Sequence, residues 1–206
     1  MSATGHRYFI IHKPYDMLSQ FVGAEDAAKL GDLDFDFPAD IHAIGRLDKQ
    51  SEGLLILTTN KKVTRLLFQG ERAHERTYLV RVKDVVTPEE LQRLRSGIMI
   101  RIKGGADYCT DPCIAEIVQK PAYLLPQPVE FSDSIPHTWL RITLTQGKYH
   151  QVRKMVSGIR HRCQRLIRIS IDDLLLGDLP SGGVQEIEEA VFFEKLKMAV
   201  PVFIPA

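Results

Sequence analysis

The chain has 206 residues and a formal net charge of +1, and 44% of its residues are apolar, which is enough for one domain, or two closely packed lobes, with a real core. Its apolar runs are shorter than the roughly 18 residues of a transmembrane helix, so we expect no membrane partner. Because the N-terminus is polar and Lys13-Pro14 interrupts the segment after it, we expect no signal-peptide core. Three cysteines, an odd number, argue against a disulfide framework. We therefore expect a cytoplasmic globular protein.

Charge is distributed unevenly along the chain. Residues 134–171 contain no Asp or Glu, whereas acidic residues collect at residues 32–36 and 172–189. The cations of the acid-free stretch are Arg141, Lys148, Arg153, Lys154, Arg160, Arg162, Arg165 and Arg168. Because a polyanion binds local patches rather than net charge, this segregation favours a nucleic-acid-binding face over an ordinary solvated surface.

Apolar alternation, and short apolar runs bounded by turn residues, predict strands. The predicted strands lie at residues 8–12, 42–47, 54–59, 77–82, 139–145 and 166–175. Residues 24–40 are charged and weakly periodic, and we expect a connecting stretch with room for a short helix.

Helices are predicted in three places. Asn60 is a suitable cap for a helix over residues 61–69. The sequence Thr87-Pro88-Glu89-Glu90 combines a capping box with proline at the first helical position, and Gly97 ends that helix. Residues 152–159 carry apolar side chains at helical spacing, which predicts a third helix with one buried stripe.

Strands predominate and no βαβ alternation is present, so the predicted class is α+β, with a mixed, mostly antiparallel sheet and flanking helices. Residues 120–137 contain four prolines, at positions 121, 126, 128 and 136. Because proline cannot donate to a sheet, we expect a surface loop there that shapes substrate access.

The sequence GRLD at residues 45–48 contains the first candidate for chemistry. Alternation along the predicted strand would point Arg46 and Asp48 to the same side. A carboxylate beside a guanidinium is held ionised, as a nucleophile or a base requires. Taken alone, however, such a pair is more typical of a structural salt bridge at a strand end.

Glu52 follows Asp48 by four residues. In a helix the two carboxylates would share a face, an arrangement compatible with acid/base chemistry of the glycosidase type. Gly53 and the strand after it argue against a helix, so we expect Glu52 in a loop. A glycosidase is therefore kept only as an alternative.

Arg76 and Tyr78 open the predicted strand at residues 77–82 and would share one face of it. The tyrosine ring could stack on a base and its phenol could transfer a proton, although a core tyrosine is common in strands.

Residues 148–154 (KYHQVRK) span a turn and a helix start, where backbone amides favour a phosphate. Arg153 falls about 100° from the buried stripe, so it could reach a neighbouring cleft. The spacing of Cys109 and Cys113 does not suit a zinc site, and no glycine-rich phosphate loop is present, so we expect no metal.

Together these stretches resemble the RsuA/RluB/RluE family of bacterial ribosomal RNA pseudouridine synthases over residues 7–190. The motifs that carry the resemblance are KPYD at 13–16, GRLD at 45–48, SEGLL at 51–55, RTY at 76–78, GKYHQVRKM at 147–155, LIR at 166–168 and LGDL at 176–179. Residues 120–126 and 135–140 are similar to the RluE type, which modifies large-subunit rRNA and lacks an S4-like domain.

The resemblance implies a single pseudouridine synthase catalytic domain over residues 1–206, with two lobes around a central cleft as an option and no separate S4-like domain. It implies a monomer that isomerises a uridine of ribosomal RNA, in 23S rRNA by the RluE likeness, without a cofactor or a metal.

By the same resemblance, Asp48 matches the essential aspartate, Tyr78 the active-site tyrosine and Arg153 the basic residue that pairs with the aspartate. Arg46 is expected to help hold the flipped nucleotide. The expected RNA-binding residues are Lys13, Lys148, His150, Lys154 and Arg168.

Two departures from the family pattern stand out, because the family usually has Lys in place of Arg76 and often has Arg near Gln185. Neither touches Asp48. Two alternatives stay open at this point: the protein could be a non-catalytic RNA-binding or ribosome-assembly factor with the same fold, or its target could lie in small-subunit rRNA. The sequence also leaves open whether Asp48 acts as a nucleophile at C1′ or as a base at C2′.

Overall fold

The computed structural model describes residues 5–23, 26–70, 72–122, 124 and 131–199. The strands are β1 (Tyr8–Lys13), β2 (Met17–Leu18), β3 (Ala28–Lys29), β4 (His42–Ile44), β5 (Glu52–Thr58), β6 (Arg76–Lys83), β7 (Met99–Arg101), β8 (Asp107–Cys109), β9 (Ile114–Val118), β10 (His137–Leu144), β11 (Cys163–Ile171), β12 (Leu174–Leu175) and β13 (Val184–Ile187). The helices are α1 (Lys62–Gln69), α2 (Pro88–Ser96), α3 (Gln151–Gly158) and α4 (Glu189–Lys195), with one 3₁₀ turn at Leu30–Asp32. Among the described residues, no helix is long and apolar enough to cross a membrane.

The chain forms two compact units. Unit 1 comprises Met1–His74 and Ser170–Ala206, and unit 2 comprises Glu75–Ile169. The backbone therefore passes from one unit to the other twice, once just before β6 and once within β11.

Unit 1 is built on β1, which pairs antiparallel with β13 on one side and with β5 on the other. The short β4 also pairs antiparallel with β5. Every residue of β5 is buried, as its continuous apolar run predicted. Helix α4 packs Phe192 and Phe193 against Tyr8, with ring centroids 4.6 Å and 5.5 Å from the tyrosine ring. Each such side chain contributes about 1.5–3 kcal/mol by leaving water.

Unit 2 is built on β10, which pairs antiparallel with β6 and with β9, while β11 neighbours β6 on the other side. The predicted capping box of α2 is confirmed, because Thr87 Oγ1 accepts from the Glu90 amide and Glu90 Oε2 accepts from the Thr87 amide. Helix α3 buries Val152, Met155 and Val156, which confirms its predicted stripe. The predicted α+β class with a mostly antiparallel sheet is thus observed in both units.

Three predicted boundaries were wrong. The strand expected at residues 42–47 ends at Ile44, because Gly45 takes a φ of +71°. Glycine suits this position, since a β-carbon there would lie 2.8 Å from the Phe68 ring. The strand expected at residues 166–175 turns at Asp172, whose φ is 46°, and so divides into β11 and β12. Glu52, expected in a loop, is the first residue of β5.

The proline-rich segment is described only in part. Residues 120–122, 124 and 131–136 lie outside strands and helices, and β10 begins at His137. The remainder of the predicted loop, at residues 123 and 125–130, lies outside the described residues.

Lys13 occupies a position that the sequence did not predict. It was expected to contact RNA, but its side chain is 0% exposed. Its Nζ donates to the carbonyl oxygens of Pro14 at 2.7 Å, Met17 at 2.7 Å and Lys49 at 3.2 Å. An ammonium group has three donors, so all three protons are used inside unit 1. The expectation of a surface contact with RNA is therefore wrong for Lys13.

The burial of Lys13 predicts a pH-dependent stability. Burial lowers the pKa of its amine from 10.5 to about 8. The negative charges of Glu52, Asp48 and Asp16 raise this pKa, but by less than burial lowers it. Between these two pKa values the unfolded chain binds the proton and the folded chain does not, so stability rises with pH. We expect wild type to gain about 2 kcal/mol relative to Lys13→Met between pH 7 and pH 10. Urea unfolding of both proteins across this range measures the gain, and a difference independent of pH would contradict it.

Candidate active site

Asp48 lies in the loop that joins β4 to β5, and its side chain is partly exposed. The loop ends in a tight turn in which the Ser51 amide donates to the Asp48 carbonyl at 2.9 Å. A partly exposed carboxylate on a short loop between two strands of one sheet is accessible to a ligand while its backbone is held by the turn.

Ser19 fixes the residue that precedes Asp48. Its Oγ accepts from the Leu47 amide at 3.0 Å and donates to the Leu47 carbonyl at 2.8 Å. Ser19 is 7% exposed, so these bonds are shielded from water. One hydroxyl thus satisfies both polar groups of Leu47. Ser19 was not predicted from the sequence, because a serine beside a two-residue strand carries no pattern that separates it from an ordinary turn serine.

Lys13 fixes the residue that follows Asp48, through its bond to the Lys49 carbonyl. The Lys49 side chain itself forms an ion pair with Asp16 at 3.3 Å. Buried polar side chains therefore bond to the backbone of both residues that adjoin Asp48, Leu47 and Lys49. The Lys13 ammonium also adds positive potential at the Asp48 carboxylate.

Two interpretations of this segment need correction. Arg46 and Asp48 do not alternate along a strand, because the strand has already ended at Ile44, and Arg46 is exposed. Glu52 is 3% exposed within β5, rather than in an open loop. A deeply buried strand residue is a poor candidate for the second catalytic carboxylate of a glycosidase, which must reach the sugar.

Arg76 and Tyr78 belong to unit 2, at the start of β6, where both are buried. They are two residues apart in a strand and share one face, as predicted. Arg76 Nη1 donates to the Thr145 carbonyl at 2.7 Å, which ties the start of β6 to the end of β10. Tyr78 lies opposite Ile142 in the same strand pair.

Arg153 also belongs to unit 2, on the first turn of α3, at the edge of the buried stripe. Its Nη1 lies 3.6 Å from Cys163 Sγ. Asp48 and Arg46 are part of unit 1, whereas Tyr78 and Arg153 are part of unit 2. The pairing of Arg153 with Asp48 stays a prediction from the resemblance.

The remaining candidates for RNA binding differ in exposure. Lys148 is exposed, and His150 and Lys154 are partly exposed around the start of α3. Lys154 Nζ donates to the Arg101 carbonyl at 2.6 Å. Arg168, by contrast, is only 5% exposed within β11 and so does not belong to an open cationic surface.

The described residues contain no group of three or more His, Cys, Asp or Glu side chains that could hold a metal ion. The three cysteines are free thiols. Burial raises the pKa of Cys113 to about 11, which disfavours the thiolate that a metal would require.

Comparison with protein families supports the resemblance. Residues 7–158 match the model of a family described as RNA pseudouridylate synthase. A solved structure described as "Crystal structure of pseudouridylate synthase" superimposes with a TM-score of 0.74 and 24% identity, covering 95% of this chain and 76% of that one. At that identity the superposition supports the fold alone.

Curated relatives agree. A protein of Vibrio parahaemolyticus named ribosomal large subunit pseudouridine synthase E is 36% identical over 184 residues, which cover 88% of this chain and 74% of the relative. A protein of the same name from Xanthomonas axonopodis pv. citri is 33% identical over 172 residues, covering 82% of this chain and 88% of the relative. With the family match extending over most of the chain, from β1 to the end of α3, this protein belongs to the RNA pseudouridylate synthase family.

Proposed function

We propose that the protein isomerises a uridine of large-subunit ribosomal RNA to pseudouridine, with Asp48 as the catalytic carboxylate. The observation that carries this proposal is the Asp48 loop, in which a partly exposed carboxylate stands on a backbone held on both sides by Ser19 and Lys13. Membership of the family and the names of the two relatives support the reaction and the RNA. A ribosomal RNA substrate implies a cytoplasmic site of action.

The reaction breaks the N1–C1′ bond of uridine, rotates the uracil and joins C5 to C1′. The proton on C5 is lost and N1 gains one, so the product is an isomer of the substrate. Asp48 acts on the ribose, by attack on C1′ or by removal of the C2′ proton. In either case the carboxylate must be ionised and held in one orientation, because proximity and alignment supply much of the rate acceleration.

The other residues support this chemistry. Tyr78 provides a ring that stacks on the uracil and a phenol that assists removal of the C5 proton. Arg153 is assigned as the basic residue that the resemblance pairs with the catalytic aspartate. Arg46, which is exposed on the Asp48 loop, helps to hold the backbone of the extruded nucleotide.

The target uridine must leave the RNA stack before it can react, at a cost of a few kcal/mol. Contacts with neighbouring phosphates offset that cost. Lys148, His150 and Lys154 are the residues that we assign to these contacts, because all three retain exposed surface around the start of α3.

The assignment of Asp48 predicts that Asp48→Asn folds and binds rRNA but forms no pseudouridine. The amide has the same shape as the carboxylate and lacks its charge, so nucleophilic and basic catalysis are lost together. The measurement is incubation of the protein with unmodified 23S and 16S rRNA, followed by carbodiimide adduct formation and primer extension. This also identifies the modified uridine and the subunit.

Asp40→Asn is the matched control, since Asp40 is an exposed carboxylate of the same unit that precedes β4. It should retain wild-type activity. Pseudouridine formation by Asp48→Asn would end the assignment. Binding of rRNA without modification by the wild type would instead favour the non-catalytic RNA-binding factor.

The two bonds of Ser19 predict that Ser19→Ala affects catalysis more than binding. The change leaves two shielded backbone groups of Leu47 without their partner, which costs about 1–3 kcal/mol of stability. Because Asp48 is the next residue, we expect kcat to fall about 10- to 100-fold, with little change in the Kd for rRNA. The assay is run well below the unfolding temperature of the variant.

Ser96→Ala provides the comparison, because Ser96 is an exposed serine of α2 whose hydroxyl bonds to the Gln92 carbonyl. It should leave kcat unchanged. Equal kcat values for Ser19→Ala and wild type, at a temperature where both are folded, would show that Ser19 does not orient the Asp48 loop.

A further inference from the structure

An exposed aromatic side chain lies in the loop that joins β10 to α3. Tyr149 is 59% exposed, although a tyrosine ring gains free energy by burial. Its ring is stacked on the ring of His150, with centroids 3.9 Å apart and planes 18° from parallel. The two rings thus form a short ordered stack at the surface of unit 2.

The backbone at this stack is unusual. His150 has φ 54° and ψ 29°, the left-handed conformation, which costs a residue with a β-carbon about 1 kcal/mol or more. The conformation directly precedes α3, and the Lys148 amide donates to Gln151 Oε1 at 2.8 Å within the same turn. The loop is therefore held in a defined geometry that presents the two rings.

One ammonium group lies beside the aromatic stack, and a second lies beside another tyrosine ring of the same unit. Lys154 Nζ lies 5.2 Å from the centroid of the Tyr149 ring. Lys148 Nζ lies 4.9 Å from the centroid of the Tyr108 ring, whose hydroxyl accepts from Gln146 Nε2 at 2.7 Å. Cations beside exposed aromatic rings suit a ligand that has both a flat apolar face and negative charge.

We propose that Tyr149 and His150 form a stacking platform for an unpaired nucleobase of the RNA, while Lys148 and Lys154 neutralise phosphates of the same strand. Nucleobases are the flat ligands that carry phosphates at both neighbours along a chain, and stacking on an aromatic side chain is worth about 1–3 kcal/mol per base. In duplex RNA the faces of the bases are covered by their neighbours. The platform therefore selects single-stranded nucleotides, whatever their base.

This proposal rests on the proposed function for the identity of the RNA, and it adds a second RNA contact to that function. It assigns to the protein a contact with a nucleotide other than the uridine that reacts. A base held on the platform would restrain the strand that carries the target, which lowers the cost of extruding the uridine.

The test compares Tyr149→Leu with wild type in binding a fluorescein-labelled single-stranded oligoadenylate, and the same strand paired with oligouridylate. Leucine keeps apolar area but has no aromatic face. We expect wild type to bind the single strand more tightly than the duplex. We expect Tyr149→Leu to lose about 5- to 100-fold in affinity for the single strand and to keep its affinity for the duplex. Tyr149→Phe should restore the lost affinity.

Val85→Ala is the control, because Val85 is an exposed apolar residue of the same unit outside the cluster. It should bind as wild type does. Equal single-strand affinities for Tyr149→Leu and wild type would overturn the platform, as would an equal loss for the duplex. Pseudouridine formation is assayed separately in rRNA, so a protein that binds through Tyr149 but modifies no uridine would refute the proposed function and leave the platform standing.

Discussion

The conformation of the Asp48 loop depends on buried polar side chains of unit 1 that bond to its backbone. Ser19 and Lys13 bond to the backbone on either side of the aspartate, and neither has appreciable contact with water. A buried ammonium group is costly unless its protons are all bonded, and Lys13 meets that condition with three carbonyl oxygens. Burial of this ammonium group costs free energy, but its hydrogen bonds hold the loop in one conformation. Such a loop is expected where a carboxylate must keep one orientation.

The features that we assign to RNA binding combine charge with aromatic surface. Although the net charge of the chain is only +1, residues 134–171 contain no acidic residue. Around the start of α3 that stretch presents cations together with the stacked rings of Tyr149 and His150. Phosphate contacts give affinity without regard to base, and stacking distinguishes single strands from duplexes. The two kinds of contact are complementary, and both belong to unit 2.

Most of the secondary structure was predictable because its signals are local. The capping box at Thr87, the continuous apolar run of β5 and the stripe of α3 each depend on neighbouring residues, and each is present. One error arose at a glycine. Strand β4 ends at Ile44 because Gly45 takes a φ of +71°, and the Phe68 ring, which lies far along the chain, leaves no room there for a β-carbon. No window of sequence around Gly45 contains that information.

The sequence by itself determined the family and singled out Asp48 as the candidate catalytic carboxylate, because motifs such as GRLD keep their order and spacing along the chain. It also determined the α+β class through apolar periodicity. Only the tertiary structure decided that Lys13 lies inside rather than on the surface, that Glu52 is a buried strand residue, and that Ser19 holds Leu47. The physical reason is that hydrogen bonds to backbone groups and desolvation depend on which segments the fold brings together, and residue type alone does not encode them.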